Sequence, residues 1–184
     1  PGARGGIIHA IARVTFPEDT PVTSLDLLIE LAVEIKPVNP FDFYVDPRCA
    51  ELPFAYSEER RRELHAFFER NDPAYDCGKK FAELVESLPA KGPTVGFLVE
   101  LNRRVREEVR YVIREEPGIF TPERTLAEAR GSCRDSAVLL VAAMRARGLA
   151  ARFVSGYLVQ LADEGMLPDQ PKGVGRDVVD LHAW

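Results

Sequence analysis

One run constrains this chain more than any other: CRDSAVLLVAAMRARG, residues 133–148. It reads as an apolar helix with its own stop signals. Arg145 and Arg147 fall in its last turn, where cations favour the helix dipole. Gly148 stands where a helix commonly ends in a left-handed glycine. The next run, LAARFVSGYLVQL (149–161), reads as a strand with Ala151, Phe153, Ser155, Tyr157 and Val159 to one side. A polar loop rich in glycine and proline follows over 162–177, and VVDLHAW (178–184) opens another strand.

Upstream of this unit the pattern is helical. SEERRRELHAFFER (57–70) opens on Ser57 as N-cap with acids in its first turn, and sets Leu64, Phe67 and Phe68 at helical spacing. YDCGKKFAELVESLPA (75–90) places Phe81, Leu84, Val85 and Leu88 on one face and stops at Pro89. PTVGFLVELNRRVREEVRYVIREE (93–116) reads as a longer helix through Phe97, Leu98, Leu101, Val105, Val109 and Val112, ended by Pro117-Gly118. Thr121 before Pro122 and Glu123 starts a short helix that closes at Gly131.

The first third differs. GIIHAIARVTF (6–16) and SLDLLIELAVEIKPV (24–38) read as two strands around a turn-rich PEDTPVT. NPFDFYVDPRCAELPFAY (39–56) reads as an extended connector whose aromatic residues pack on the domain beneath. The expected organisation is α+β, with helices packed on an antiparallel sheet. An N-terminal β-region and connector would occupy residues 1–56, and the core residues 57–184.

Composition narrows the function. The net charge of −5, with no basic block that outweighs its acidic neighbours, argues against nucleic acid as a partner. No apolar run reaches the roughly 18 residues of a membrane span, so no membrane role is expected. The start, PGARGG, has no initiator methionine and no signal-peptide pattern, and reads as either an appended remnant or an internal cut. Cys49, Cys77 and Cys133 have no paired spacing, and His9, His65 and His182 are far apart. Neither a disulfide framework nor a metal site is expected, and reduced thiols fit a cytoplasmic location.

The chemistry centres on Cys133. At a helix N-terminus, free backbone N–H groups and the dipole favour a thiolate over a thiol. The N–H of Cys133 can also face an oxyanion formed by attack on a carbonyl. Gly131 leaves room for a substrate backbone to approach. The plain alternative is a small apolar helix residue. His182 stands between Leu181 and Ala183 with Trp184 beyond. It is a core or edge histidine unless the fold brings it beside Cys133, as a Cys–His pair requires. Arg134 and Asp135 are read as surface charge and capping, or as local contacts of the site. Tyr157 fills core space or lines a cleft.

GSCRDSAVLLVAAMRARGLAARFVSGYLVQ followed by DLHAW resembles the transglutaminase-like superfamily, in its bacterial cysteine-protease-like branch. The matching residues are Gly131, Cys133, Arg134, Asp135, Gly148, Arg152 to Tyr157, and His182 to Trp184. The strong resemblance covers roughly residues 94–184. It implies a papain-like core and a Cys-His-Asp triad, with Cys133 as nucleophile and His182 as base. The family's third member is an Asp on the strand after the histidine strand. The expectation is therefore a fragment whose orienting acid lies beyond Trp184. Asp180 shares a strand face with His182 but departs from the family geometry.

The resemblance implies acyl transfer from a peptide or amide substrate through a Cys133 thioester, with hydrolysis favoured over crosslinking and no metal or organic cofactor. The alternative is an inactive binding or structural module of a larger protein. A homodimer through apolar surface left by the cut is a further expectation.

Overall fold

The computed structural model describes residues 14–19, 21–26, 28, 30, 32, 39, 42–70, 75, 77–162 and 174–184. The chain divides into two compact units, residues 1–43 and 44–184. In the first, the described residues are mostly exposed, and Asp42 donates its N–H to the Asn39 carbonyl at 3.0 Å. The strands expected over 6–16 and 24–38 fall largely outside the described residues.

The second unit holds, in order, β1 (Glu51–Leu52), α1 (Glu58–Glu63), α2 (Lys79–Ser87), β2 (Gly92–Pro93) and α3 (Thr94–Glu108). It continues with β3 (Arg110–Tyr111), α4 (Pro122–Glu128), β4 (Arg130–Gly131), α5 (Cys133–Ala146), β5 (Ser155–Gln160) and β6 (Val178–Ala183). The strands pair two by two: β1 with β2 and β5 with β6 antiparallel, and β3 with β4 parallel. This is a mixed arrangement of helices and small sheets, an α+β fold.

Local signals explain several element ends. The Ser57 hydroxyl accepts the Arg60 N–H at 3.2 Å and starts α1. The Thr121 hydroxyl accepts the Arg124 N–H at 3.2 Å and starts α4, with Pro122 in its first turn. Gly148 has φ +77° and stops the helical run. Arg145 and Arg147 close the end of α5 by binding carbonyls rather than by the dipole alone. Arg145 donates to Ala151 and Glu69, and Arg147 to Val85 and Leu88.

α5 is the axis of the core. Leu139 and Ala143 are fully buried, and α5 packs against α2, α3, α4 and β6. Phe81 and Leu84 from α2, and Phe97, Leu101 and Val105 from α3, close around it. Each set follows the 3.6-residue period that gives a helix one apolar stripe. The connector packs as its aromatics suggest: the Tyr56 ring lies 5.1 Å from that of Phe68, and its hydroxyl accepts the Ala150 N–H at 3.1 Å.

Three elements differ from expectation. α1 ends at Glu63, and a single 3-10 turn over 65–67 replaces its second half. α3 ends at Glu108, eight residues before the expected stop at 116. Val109 turns to φ −120°, ψ 108°, and the next residues are extended. The run VRYVI favours extended backbone, and it finds a partner. Arg110 donates to the Ala129 carbonyl and Val112 to the Gly131 carbonyl, each at 3.0 Å. The strand read over 149–161 also starts late, at Ser155.

Candidate active site

The site is built on the start of α5. Ser132 is the N-cap, with extended backbone, and Cys133 is the first helical residue. Both the N–H and the hydroxyl of Ser132 donate to Asp135 Oδ2, at 2.7 and 2.8 Å. The Ser132-x-x-Asp135 spacing is that of a capping box, which holds the first turn closed on itself. Cys133 sits half-buried immediately inside that turn.

Asp135 is fully buried. Burial alone would push its carboxyl up. The Arg114 guanidinium, the N–H groups of Phe120 and Ser132 and the Ser132 hydroxyl outweigh that and hold it below its ordinary value. Arg114 donates through Nε and Nη2 at 2.9 and 3.1 Å, a fork matched to a carboxylate. Asp135 is thus an interior anion with a dedicated partner, not a surface charge.

β4 feeds this turn and β3 lies alongside it, with Tyr111 paired to Gly131. A Cβ on Gly131 would lie 2.9 Å from Asp135 Cβ and 3.2 Å from Thr125 Cγ2. The room that a glycine leaves here is therefore taken by the Asp135 side chain, not kept open for substrate.

On the other side stands the β5–β6 hairpin. Its register pairs Gly156 with His182, Leu158 with Asp180 and Tyr157 with Leu181. Strand alternation puts Asp180, His182 and Trp184 on one face. The Trp184 ring meets His182 edge-on at 5.0 Å and lies 3.4 Å from the position a Cβ on Gly156 would occupy. Trp184 extends the hairpin by exchanging hydrogen bonds with Val154 at 2.9 and 3.0 Å. His182 is half-buried, while Asp180 is exposed and accepts the Leu181 N–H at 2.8 Å.

Cys133 and His182, far apart in sequence, line one cavity of about 900 Å³. Asp180 and Tyr157 line it too, so Tyr157 is a cleft residue rather than core filler. Tyr111 and Arg114 were not marked by their sequence as site residues, yet both line the same cavity. Partial desolvation, then the nearness of Cys133 and Asp180, hold the Tyr111 phenol above its usual value. The β-favouring run VRYVI was the signal for Tyr111, masked by a continuing helical period. Ser132-x-x-Asp135 was the signal for the capping box, and Arg114 had none.

Among the described residues no group of three or more His, Cys, Asp or Glu could hold a metal ion. Nor is any helix among them long and apolar enough to cross a membrane. Cys49 is half-buried in a turn, and Cys77 donates to the Tyr75 carbonyl at 2.7 Å.

Three curated relatives, uncharacterized proteins of Mycobacterium bovis and of two strains of Mycobacterium tuberculosis, are each 29% identical over 190 residues. Each alignment covers 97% of this chain and 54% of the relative, so the chain spans about half the length of the relatives it matches. No solved structure matches. Residues 82–184, more than half of the chain and the whole of the cavity just described, match the sequence profile of the transglutaminase-like superfamily. The chain belongs to the transglutaminase-like superfamily.

Proposed function

We propose that this domain is a cysteine enzyme acting on peptide or carboxamide bonds, with Cys133 as nucleophile and His182 as general base. The observation that carries this is the placement of a helix-terminal cysteine and a histidine on a neighbouring strand around one cavity. The helix N-terminus favours the thiolate, which attacks the substrate carbonyl. The C–S bond forms as the carbonyl π pair moves onto oxygen, and the Cys133 N–H faces that oxyanion. The tetrahedral intermediate then expels the amine. His182, carrying the proton taken from the thiol, protonates the amine as it leaves. Water attacks the thioester next, with His182 accepting its proton, and the acid is released with Cys133 restored. Trp184, edge-on to His182, limits the ring's freedom. Hydrolysis is preferred to crosslinking, because no motif among the described residues dictates an amine acceptor.

The other reading is a recognition module that keeps the cavity without turnover. One observation favours it. Asp180, the carboxylate nearest in the strand, binds its own backbone neighbour, and none of the ion pairs among the described residues involves His182.

The test is alkylation by iodoacetamide near pH ~6, where an ordinary thiol is almost wholly protonated. Fast, selective labelling of Cys133 over Cys49 and Cys77, read by peptide mass spectrometry, supports the enzyme reading. Equally slow labelling of all three refutes it. Amidase assays with Cys133→Ala as control then separate turnover from binding alone.

A further inference from the structure

One wall of the cavity belongs to no sheet or helix. Residues 112–120 leave β3, turn through Gly118 at φ +89° and arrive at α4. Apolar packing holds the end of this loop through buried Phe120, while Ile113 is 81% exposed and Ile119 42%. Polar anchors hold the rest. The Arg114 guanidinium lies 3.7 Å from the Phe120 ring centroid, and its Nη2 also donates to the Gly118 carbonyl at 3.2 Å. Arg134 Nη2 donates to the carbonyls of Arg114 and Glu116, both at 3.1 Å. The Phe120 N–H donates to Asp135 Oδ1 at 2.8 Å. These anchors converge on the first turn of α5. One buried carboxylate therefore binds the cavity wall and, through Ser132, the residue that precedes the cysteine.

We propose that Arg114 and Asp135 are positioning residues for Cys133, their ion pair locking the 112–120 wall to the first turn of α5 so that thiol and facing wall share one geometry. This rests on the reading of Cys133 as nucleophile. A helix cap by itself needs only the Ser132 N–H, and a capping acid ordinarily sits in water. Complete burial, a two-pronged guanidinium and a second backbone donor go beyond capping. The pairing also sets the field at the sulfur. A carboxylate two residues from the thiol would oppose a thiolate if left alone. Arg114 cancels it, and the helix N-terminus is then the main favourable field. Among the described residues, the other charged or titratable groups that line the cavity with Cys133 are Tyr111 from β3, Glu115 from the loop, Arg134 from α5, Tyr157 from β5, and Asp180 and His182 from β6. None of these changes in the variants below.

The experiment follows the alkylation rate of Cys133 by iodoacetamide from about pH 5 to about pH 9, by peptide mass spectrometry. Asp135→Asn leaves the guanidinium unpaired, and the pH of half-maximal rate should fall by about one unit. Arg114→Gln leaves the carboxylate unpaired, and the same midpoint should rise by a similar amount. The double variant restores charge balance. Its midpoint should return to within about 0.3 unit of the parent, while its plateau rate stays about tenfold lower because the wall is no longer anchored. A purely structural role would move neither midpoint, or both in one direction, and that result overturns the proposal. Where circular dichroism shows a single variant unfolded, Arg114→Lys and the double variant decide. Both keep the charge balance and lose the fork, so both should keep the midpoint and lose plateau rate. Parent-like plateau rates in both would overturn the proposal. If Cys133 of the parent labels no faster than Cys49, the nucleophile reading fails. The opposed midpoint shifts can still be read on the slower rates.

Discussion

Replacing Gly131 by alanine tests how tightly the site is built. The added Cβ would lie 2.9 Å from Asp135 Cβ, 3.2 Å from Thr125 Cγ2 and 3.5 Å from Val109 Cγ1. None of these is the loose end of a long side chain. Asp135 Cβ is one bond from the helix backbone, and Thr125 is fully buried with its hydroxyl bonded to the Thr121 carbonyl at 3.0 Å. Overpacking of this kind costs about 1–3 kcal/mol. The upper part of that range applies, because displacing Asp135 also strains charge-assisted hydrogen bonds worth about 1.5–3 kcal/mol each. Against this stands a backbone gain. Gly131 does not have the positive φ of Gly92, Gly118 and Gly148, so alanine would stabilise by about 0.4–1 kcal/mol through the unfolded chain. The clash is the larger effect. The net expectation is a loss of about 2 kcal/mol, or about 6 °C in Tm for a unit of this size. Thermal and urea denaturation followed by far-ultraviolet circular dichroism would measure it. An unchanged or raised Tm would refute the reasoning, since it would mean that Asp135 can move aside freely.

Three further outcomes are expected. Leu139→Ala removes a fully buried side chain from the middle of α5 and should cost about 3 kcal/mol in urea denaturation, whereas a loss under about 1 kcal/mol would mean that the core collapses around the gap. Thr121→Ala deletes the hydroxyl that accepts the Arg124 N–H and should cost about 1 kcal/mol, with Thr121→Ser close to the parent. The stability contributed by Asp135 should be lost in acid. Its folded carboxyl lies below the ordinary value of 3.8, so the unfolded chain takes up the proton first. That contribution is complete above the ordinary value and disappears as pH falls through the folded value. Asp135→Asn should therefore flatten the loss of stability below about pH 4, and a parent-like acid slope in the variant would count against it.

What the sequence made legible, and what it hid, divide along one physical line. Ser57, Thr121 and Gly148 mark element ends through contacts with residues three or four positions away, so a local reading finds them. The apolar stripes of α2, α3 and α5 are equally local, because one period places them all on the core. The end of α3 is not local. Val109 and Val112 continue the helical period, yet the backbone there pairs with Ala129 and Gly131, and no window around residue 110 contains that partner. Asp135 shows the same limit within the site. Its capping spacing to Ser132 is visible in the sequence, whereas its burial depends on Arg114, twenty-one positions away. That Cys133 and His182 would share one cavity was suggested by the order of the elements between them and by the family resemblance, not by any fixed spacing.

These non-local pairings share a location. The β3–β4 bridge, the Arg114–Asp135 pair and the β5–β6 register all converge on the cavity that holds Cys133. A helix terminus is common, and by itself it makes a cysteine only modestly reactive. Here three separate stretches of chain, β3, the 112–120 loop and the β5–β6 hairpin, line the cavity at that terminus. Substitutions at residues 109–120 should therefore alter Cys133 chemistry more than substitutions on the exposed face of α5, which lie closer in sequence.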